Sequence, residues 1–194
     1  MDLDSFLRDP LSRRRFFCMS GVSVAGGSAM FLSACGNDVA SPGPSGPDES
    51  DEADVEILNS ALDLELMAVA AYKAGSARLE GSVLKVGKLF LEQEQEHADG
   101  LASAIKDAGG TANRAKASYD FPALRSQTDV LKFAVDLENT AIAAYIDALP
   151  KLGSGDLRAT AAAIVANEAE HVAVLLDALG EDPVPFAFVV GRAA

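Results

Sequence analysis

From Val55 onward, apolar residues recur at three- and four-residue intervals, the spacing of one face of an α-helix. Ile57, Ala61, Leu62, Leu64, Leu66, Ala68, Val69 and Tyr72 predict a long first helix ending near Gly75, with Asp54 in its cap region and Glu56 in its first turn. A second helix is expected from about Ser82 through Leu101 to Ala108, stopped by Gly109-Gly110. A third begins near Thr128-Asp129 and runs through Phe133, Leu137 and Ile142 to Leu149, where Pro150 ends it. Asp156 opens a fourth, carrying Ile164, Val165, Val172, Leu175 and Leu179 before Gly180 and Pro183. Four helices of this length with few β-branched runs predict an all-α four-helix bundle.

The connections select a topology. The short stretches Gly75 to Gly81 and Pro150 to Gly155 make helices one and two, and helices three and four, antiparallel hairpins. Gly109 to Gln127 lacks steady periodicity and is long enough to run the length of a helix, so it is expected to cross over between the hairpins. The halves also repeat: Leu62-Asp63-Leu64-Glu65 with Ala68 to Tyr72 reappears as Val135-Asp136-Leu137-Glu138 with Ala141 to Tyr145, and Glu94 to His97 returns as Glu168 to His171. A duplicated hairpin would set two equivalent half-sites about a pseudo-two-fold axis.

Ahead of the helices the composition changes. Ser12-Arg13-Arg14-Arg15-Phe16-Phe17 is a paired-arginine segment, followed from Gly21 to Leu32 by a short, weakly hydrophobic stretch interrupted by Gly and Ser. It resembles a twin-arginine export signal, and Leu32-Ser33-Ala34-Cys35 looks like a lipobox. Residues 1–34 are therefore expected to be a cleaved signal peptide, with Cys35 lipidated and tethered to a membrane. Cys18 would leave with the signal, so the mature chain would keep no thiol for a disulfide or a Cys-ligated metal. Residues 35–54, rich in Pro, Gly, Ser and acid, are expected to be a disordered linker, leaving the bundle and its tail in 55–194.

The 194 residues are 49% hydrophobic, enough for one domain with a core. A formal net charge of -13 repels phosphate backbones, and with no Trp and three Tyr there is little to stack on bases, so nucleic acid is excluded as a partner. The same field favours the approach of cations.

Against that background Glu65, Glu94, His97, Glu138, Glu168 and His171 stand out: each half has one helical Glu and, about thirty residues on, a Glu-x-x-His. Residues i and i+3 share a helix face, so Glu94 points with His97 and Glu168 with His171. At 1.5 Å per residue all four carboxylates lie roughly 15 to 18 Å from a hairpin turn, which puts them at one level. Four carboxylates inside a bundle would each cost several kcal/mol unless paired. Two divalent cations cancel their charge, and the only two His of the chain supply one nitrogen to each. Tyr72 and Tyr145, seven residues after a candidate ligand Glu, are expected on the same face, to hydrogen-bond to the ligands or to carry a redox role, or else to be core aromatics with a satisfied hydroxyl. Glu96 and Glu170 are expected to be solvated, and Asp63 and Asp136 are candidate outer partners of the histidines.

This set of six resembles the ferritin-like superfamily, in its branch of exported ferritin-like domain proteins, over residues 55 to about 180. The signature of that family is a Glu from each of two helices plus Glu-x-x-His from each of the other two, all inward. The resemblance implies a dinuclear centre of two iron ions, or of manganese, and a reaction with dioxygen or peroxide of ferroxidase, peroxidase or catalase type. Ala141 stands where rubrerythrins carry a further Glu, and no rubredoxin-like Cys pairs occur, which argues against that branch. Closure into a storage cage is not expected of a lipid-tethered chain. The sequence thus points to an exported, membrane-anchored dimetal oxidoreductase, the alternative being a non-enzymatic metal-binding or partner-recruiting envelope lipoprotein. Oligomeric state stays open. The apolar tail Val184 to Val190 would pack back along the bundle or meet a partner.

Overall fold

The computed structural model describes residues 49–191. The expected signal peptide, the lipidation site Cys35 and the linker up to residue 48 lie outside the described residues. Within them are four long helices and no strand: α1 (Glu49–Gly75), α2 (Gly81–Asp107), α3 (Gln127–Ala148) and α4 (Gly155–Leu179), with one 3-10 turn at Ser76–Arg78.

Each helix buries one stripe. On α1 it is Leu58, Leu62, Glu65, Val69 and Tyr72; on α2, Phe90, Glu94, Ala98, Leu101 and Ile105; on α4, Ala161, Ile164, Glu168, His171 and Leu175. These intervals of three and four turn one face inward, and each Leu, Ile, Val or Phe among them contributes about 1.5–3 kcal/mol by leaving water. A glutamate occupies the middle of every stripe. Glu94, for example, stands thirteen residues from both ends of α2.

Local chemistry fixes the helix ends. Ser126 opens α3 with a capping box, its hydroxyl accepting from Asp129 N while the Asp129 carboxylate accepts from Ser126 N. Ser154 caps α4 by accepting from the backbone of Asp156 and Leu157, and Gly180, at φ 76°, closes it in the left-handed conformation. The first helix begins at Glu49, not near Val55. Asp54 is not a cap: it is buried within α1 and accepts from Gly153 N (2.8 Å) and Ser154 N (3.4 Å) in the α3–α4 turn.

That bond places the start of α1 beside the α3–α4 turn. At the other end, Glu80 N donates to the side chain of Gln127, setting the start of α3 beside the α1–α2 turn. The hairpins therefore lie antiparallel, with their turns at opposite ends of the bundle, and residues equally far from each turn meet at mid-height. The crossover climbs along α1: Asn59 donates to Thr111 O, Asn113 donates to Asn59 and Asp63, and Phe121 packs against Phe133 and the cluster of Ala68, Ala71 and Leu137. The core divides at mid-height into a cluster around Leu62, Leu101, Ile105 and Ile164 and another around Phe90, Leu131, Leu175 and Leu176. A polar layer separates the two.

Beyond α4 the tail keeps Val184, Phe186, Phe188, Val189 and Val190 exposed. Its end returns to the bundle at Gly191, whose φ of 70° and close approach to the backbone of Asn139 and Ala143 leave no room for a Cβ.

Candidate metal centre

The polar layer contains the six residues singled out in the sequence. Glu65, Glu94, Glu138, Glu168 and His171 are at most 1% exposed, and His97 is 13% exposed. Their ligand atoms form two groups, Glu65, Glu94, His97 and Glu168 on one side and Glu94, Glu138, Glu168 and His171 on the other, the atoms of each lying within 4.8 Å of one another. The groups overlap in Glu94 and Glu168, so the Glu-x-x-His carboxylates face both positions while Glu65 and Glu138 each serve one.

The imidazoles define the two poles. His97 Nδ1 lies 3.0 Å from Glu168, 3.5 Å from Glu65 and 3.8 Å from Glu94; His171 Nδ1 lies 3.1 Å from Glu94, 3.1 Å from Glu168 and 3.4 Å from Glu138. The ring centroids are 6.4 Å apart. Despite this crowding, Glu94 Oε1, Glu138 Oε2, Glu168 Oε1 and His97 Nδ1 are buried without a hydrogen-bond partner. Buried polar atoms rarely go unpaired, because each costs about 1–3 kcal/mol. Some of these atoms lie only 3.0–3.1 Å from a histidine nitrogen yet make no hydrogen bond of good geometry; donor atoms gathered this closely are arranged for a cation, and four carboxylates with two imidazoles suit hard or borderline divalent metals. The residues present fit a pair of such ions.

Protonation follows from the same crowding. Burial pushes the Glu65 carboxyl up to about 8, against the lowering contact with His97, and lifts Glu138 well above the usual carboxylate range. Burial would raise Glu94 and Glu168 too, but their contacts with both histidines outweigh it, lowering Glu94 and holding Glu168 at about 2. Burial disfavours the imidazolium form, yet the facing carboxylates push His97 up to about 12 and His171 to about 11. Without metal the pocket thus balances two imidazolium cations against Glu94 and Glu168, with Glu65 and Glu138 neutral. Two divalent cations would displace those four protons and keep the balance.

Tyr72 and Tyr145 do not bond to the Glu of their own helix. Tyr72 on α1 donates to Glu138 on α3, and Tyr145 on α3 donates to Glu65 on α1, so the pair laces the hairpins together across the site. Burial, followed by the adjacent carboxylate, raises both phenols well above their ordinary value. Glu96 and Glu170 are exposed, as expected. Asp63 and Asp136 are not outer partners of the histidines: Asp63 accepts from Asn113 of the crossover, and Asp136 is exposed. The outer partner that sequence reasoning missed is Gln93, whose Oε1 lies 2.9 Å from His171 Nε2. Phe90 stacks on the same imidazole at 3.9 Å.

Solved structures similar to this chain share its architecture. A conserved hypothetical protein of Mycobacterium tuberculosis superposes with a TM-score of 0.63 at 24% identity, covering 66% of this chain and 97% of its own. Ferritin-like diiron-carboxylate proteins of Bacillus anthracis give 0.60 at 24%, over 68% and 98%; the bacterioferritin of Desulfovibrio desulfuricans, solved with its diiron site in several catalytic states, gives 0.61 at 21%, over 77% and 97%. No curated protein sequence matches at significance. The ferritin-like domain family matches residues 53–181, a span that takes in all of α1 but its first turn, the other three helices whole and all six converging side chains, and the chain belongs to that family.

Proposed function

We propose that this chain is an exported, lipid-anchored protein that holds two iron ions, or two manganese ions, between its hairpins and uses them for oxidative chemistry with dioxygen or peroxide. The observation that carries this reading is the pair of overlapping ligand groups that share Glu94 and Glu168 and keep buried, unpartnered ligand atoms. Similar folds include proteins described as diiron-carboxylate. Anchoring is supported by the paired-arginine segment and by the Leu32 to Cys35 lipobox.

In the loaded site Glu65 with His97 would hold one ion and Glu138 with His171 the other, with Glu94 and Glu168, which belong to both groups, serving both. Ferrous ions held there would supply two electrons, reducing dioxygen with two protons to hydrogen peroxide, or hydrogen peroxide with two protons to two waters. The chain's own share is geometry and proton placement. Tyr72 and Tyr145 hold a proton against Glu138 and Glu65 and keep those carboxyl groups oriented, while Glu94 and Glu168 stay ionised. The apolar clusters above and below the layer limit water access to the site.

The test is turnover. Protein loaded with two ferrous ions per chain is expected to oxidise them, consuming dioxygen or peroxide faster than free metal does, and Glu168→Ala is expected to abolish the excess rate. Loaded wild-type protein no faster than free metal would leave a metal-binding lipoprotein without catalysis.

A further inference from the structure

The two halves of the pocket come from one repeat but are not held alike. Residues of α2 correspond to residues of α4 seventy-four positions later, which aligns Glu94 with Glu168 and His97 with His171. The same shift aligns Gln93 with Asn167 and Phe90 with Ile164. These two pairs break the symmetry.

Gln93 Oε1 lies 2.9 Å from His171 Nε2, and an amide oxygen only accepts. The proton of that bond therefore sits on Nε2, and the lone pair of the neutral ring falls on Nδ1, the atom facing Glu94, Glu138 and Glu168. Phe90 lies flat on the ring, with centroids 3.9 Å apart and planes 27° apart, and restricts its rotation. His171 is 1% exposed. In the other half Asn167 is one methylene shorter, and its amide is directed at Glu170, 3.5 Å away on its own helix. Ile164 offers no aromatic face, and among the described residues no side chain pairs with His97 Nε2. His97 is 13% exposed.

We infer that the two metal positions are inequivalent: the one completed by Glu138 and His171 is pre-oriented by Gln93 and Phe90 and fills first, while the one completed by Glu65 and His97 holds its ion more weakly and exchanges it with solvent. This rests on reading the pocket as a dimetal centre. Gln93 is a positioning residue that acts through His171. Outer partners of this kind commonly carry 10–100-fold in metal affinity, because they fix the ring before the ion arrives.

Cobalt(II) is the probe, titrated into the purified, metal-free protein by calorimetry and located by anomalous scattering in crystals given one equivalent. Wild type is expected to bind two ions in distinguishable steps, the first at the Glu138–His171 position. Gln93→Leu is expected to weaken that position by roughly 10–100-fold while leaving the Glu65–His97 position within about twofold. Gln93→Glu keeps an acceptor for Nε2–H and should restore the order, and Phe90→Leu, which keeps Gln93, should weaken the same position. A first ion beside His97, equal filling, or an equal loss at both positions in Gln93→Leu would overturn the inequivalence and leave the dimetal reading intact. Absence of cobalt uptake by wild type would overturn both.

Discussion

The terminal carboxylates Glu65 and Glu138 depend on a phenol from the opposite hairpin. Tyr145→Phe or Tyr72→Phe removes that donor and leaves a buried carboxyl oxygen without a partner. Each change is expected to destabilise the metal-free protein by about 1–3 kcal/mol in urea unfolding, and by less once metal holds the carboxylate. Wild-type stability in both variants would show that the phenols are packing groups only. The six side chains that meet were legible in sequence because the chain has only two His, each in a Glu-x-x-His with an upstream Glu, and the pattern occurs twice. The tyrosine bonds were not, because helical periodicity places a side chain on a face but does not say which facing helix it reaches. Gln93 was hidden for a related reason: an amide before a ligand Glu looks like any solvated position. Only comparison of the repeat halves, Gln93 against Asn167, carries a signal for it.

Among the elements, α2, α3 and α4 begin and end within a residue or two of the expected positions, because Gly, Pro, Ser and Asp punctuate them locally. The start of α1 differs. Glu49 to Asp54 has the acidic composition of a linker, and what draws its end into the fold is a contact about a hundred residues away, Asp54 with Gly153 and Ser154. No local pattern could show it. Asp54→Ala leaves the two N–H groups of the α3–α4 turn without that acceptor. The expected cost is about 1–3 kcal/mol by chemical denaturation, with metal content unchanged since the site lies three turns away. A loss of bound metal without a loss of stability would contradict this separation of roles.

For the whole molecule, the mid-height position of the site follows from two antiparallel hairpins whose turns lie at opposite ends. The fold thereby places ionisable groups where bound metal would compete with protons. Glu65 holds its proton up to about 8 when folded, against an ordinary 4.5, so its contribution to stability is lost as pH rises through that window; Glu138 acts in the same direction. His97 and His171, raised from 6.5 to about 12 and 11, contribute fully below 6.5 and progressively less above it. Glu94 and Glu168 are lowered, so their contribution is present above 4.5 and lost on acidification. The melting temperature of metal-free protein is therefore expected to fall between about pH 5 and 8.5, while protein with excess manganese(II) or iron(II) holds or gains stability over the same range because the competing protons have left. A metal-free melting temperature that climbs across that range would contradict the proton assignment. The central claim, that these four helices assemble one shared dimetal pocket, is tested most directly by elemental analysis of metal per chain. Wild type should carry two ions. Glu65→Ala or Glu138→Ala should retain about one, and Glu168→Ala, which removes a carboxylate from both positions, less than one. Fewer than one metal in wild type, or wild-type content in Glu168→Ala, would contradict the account.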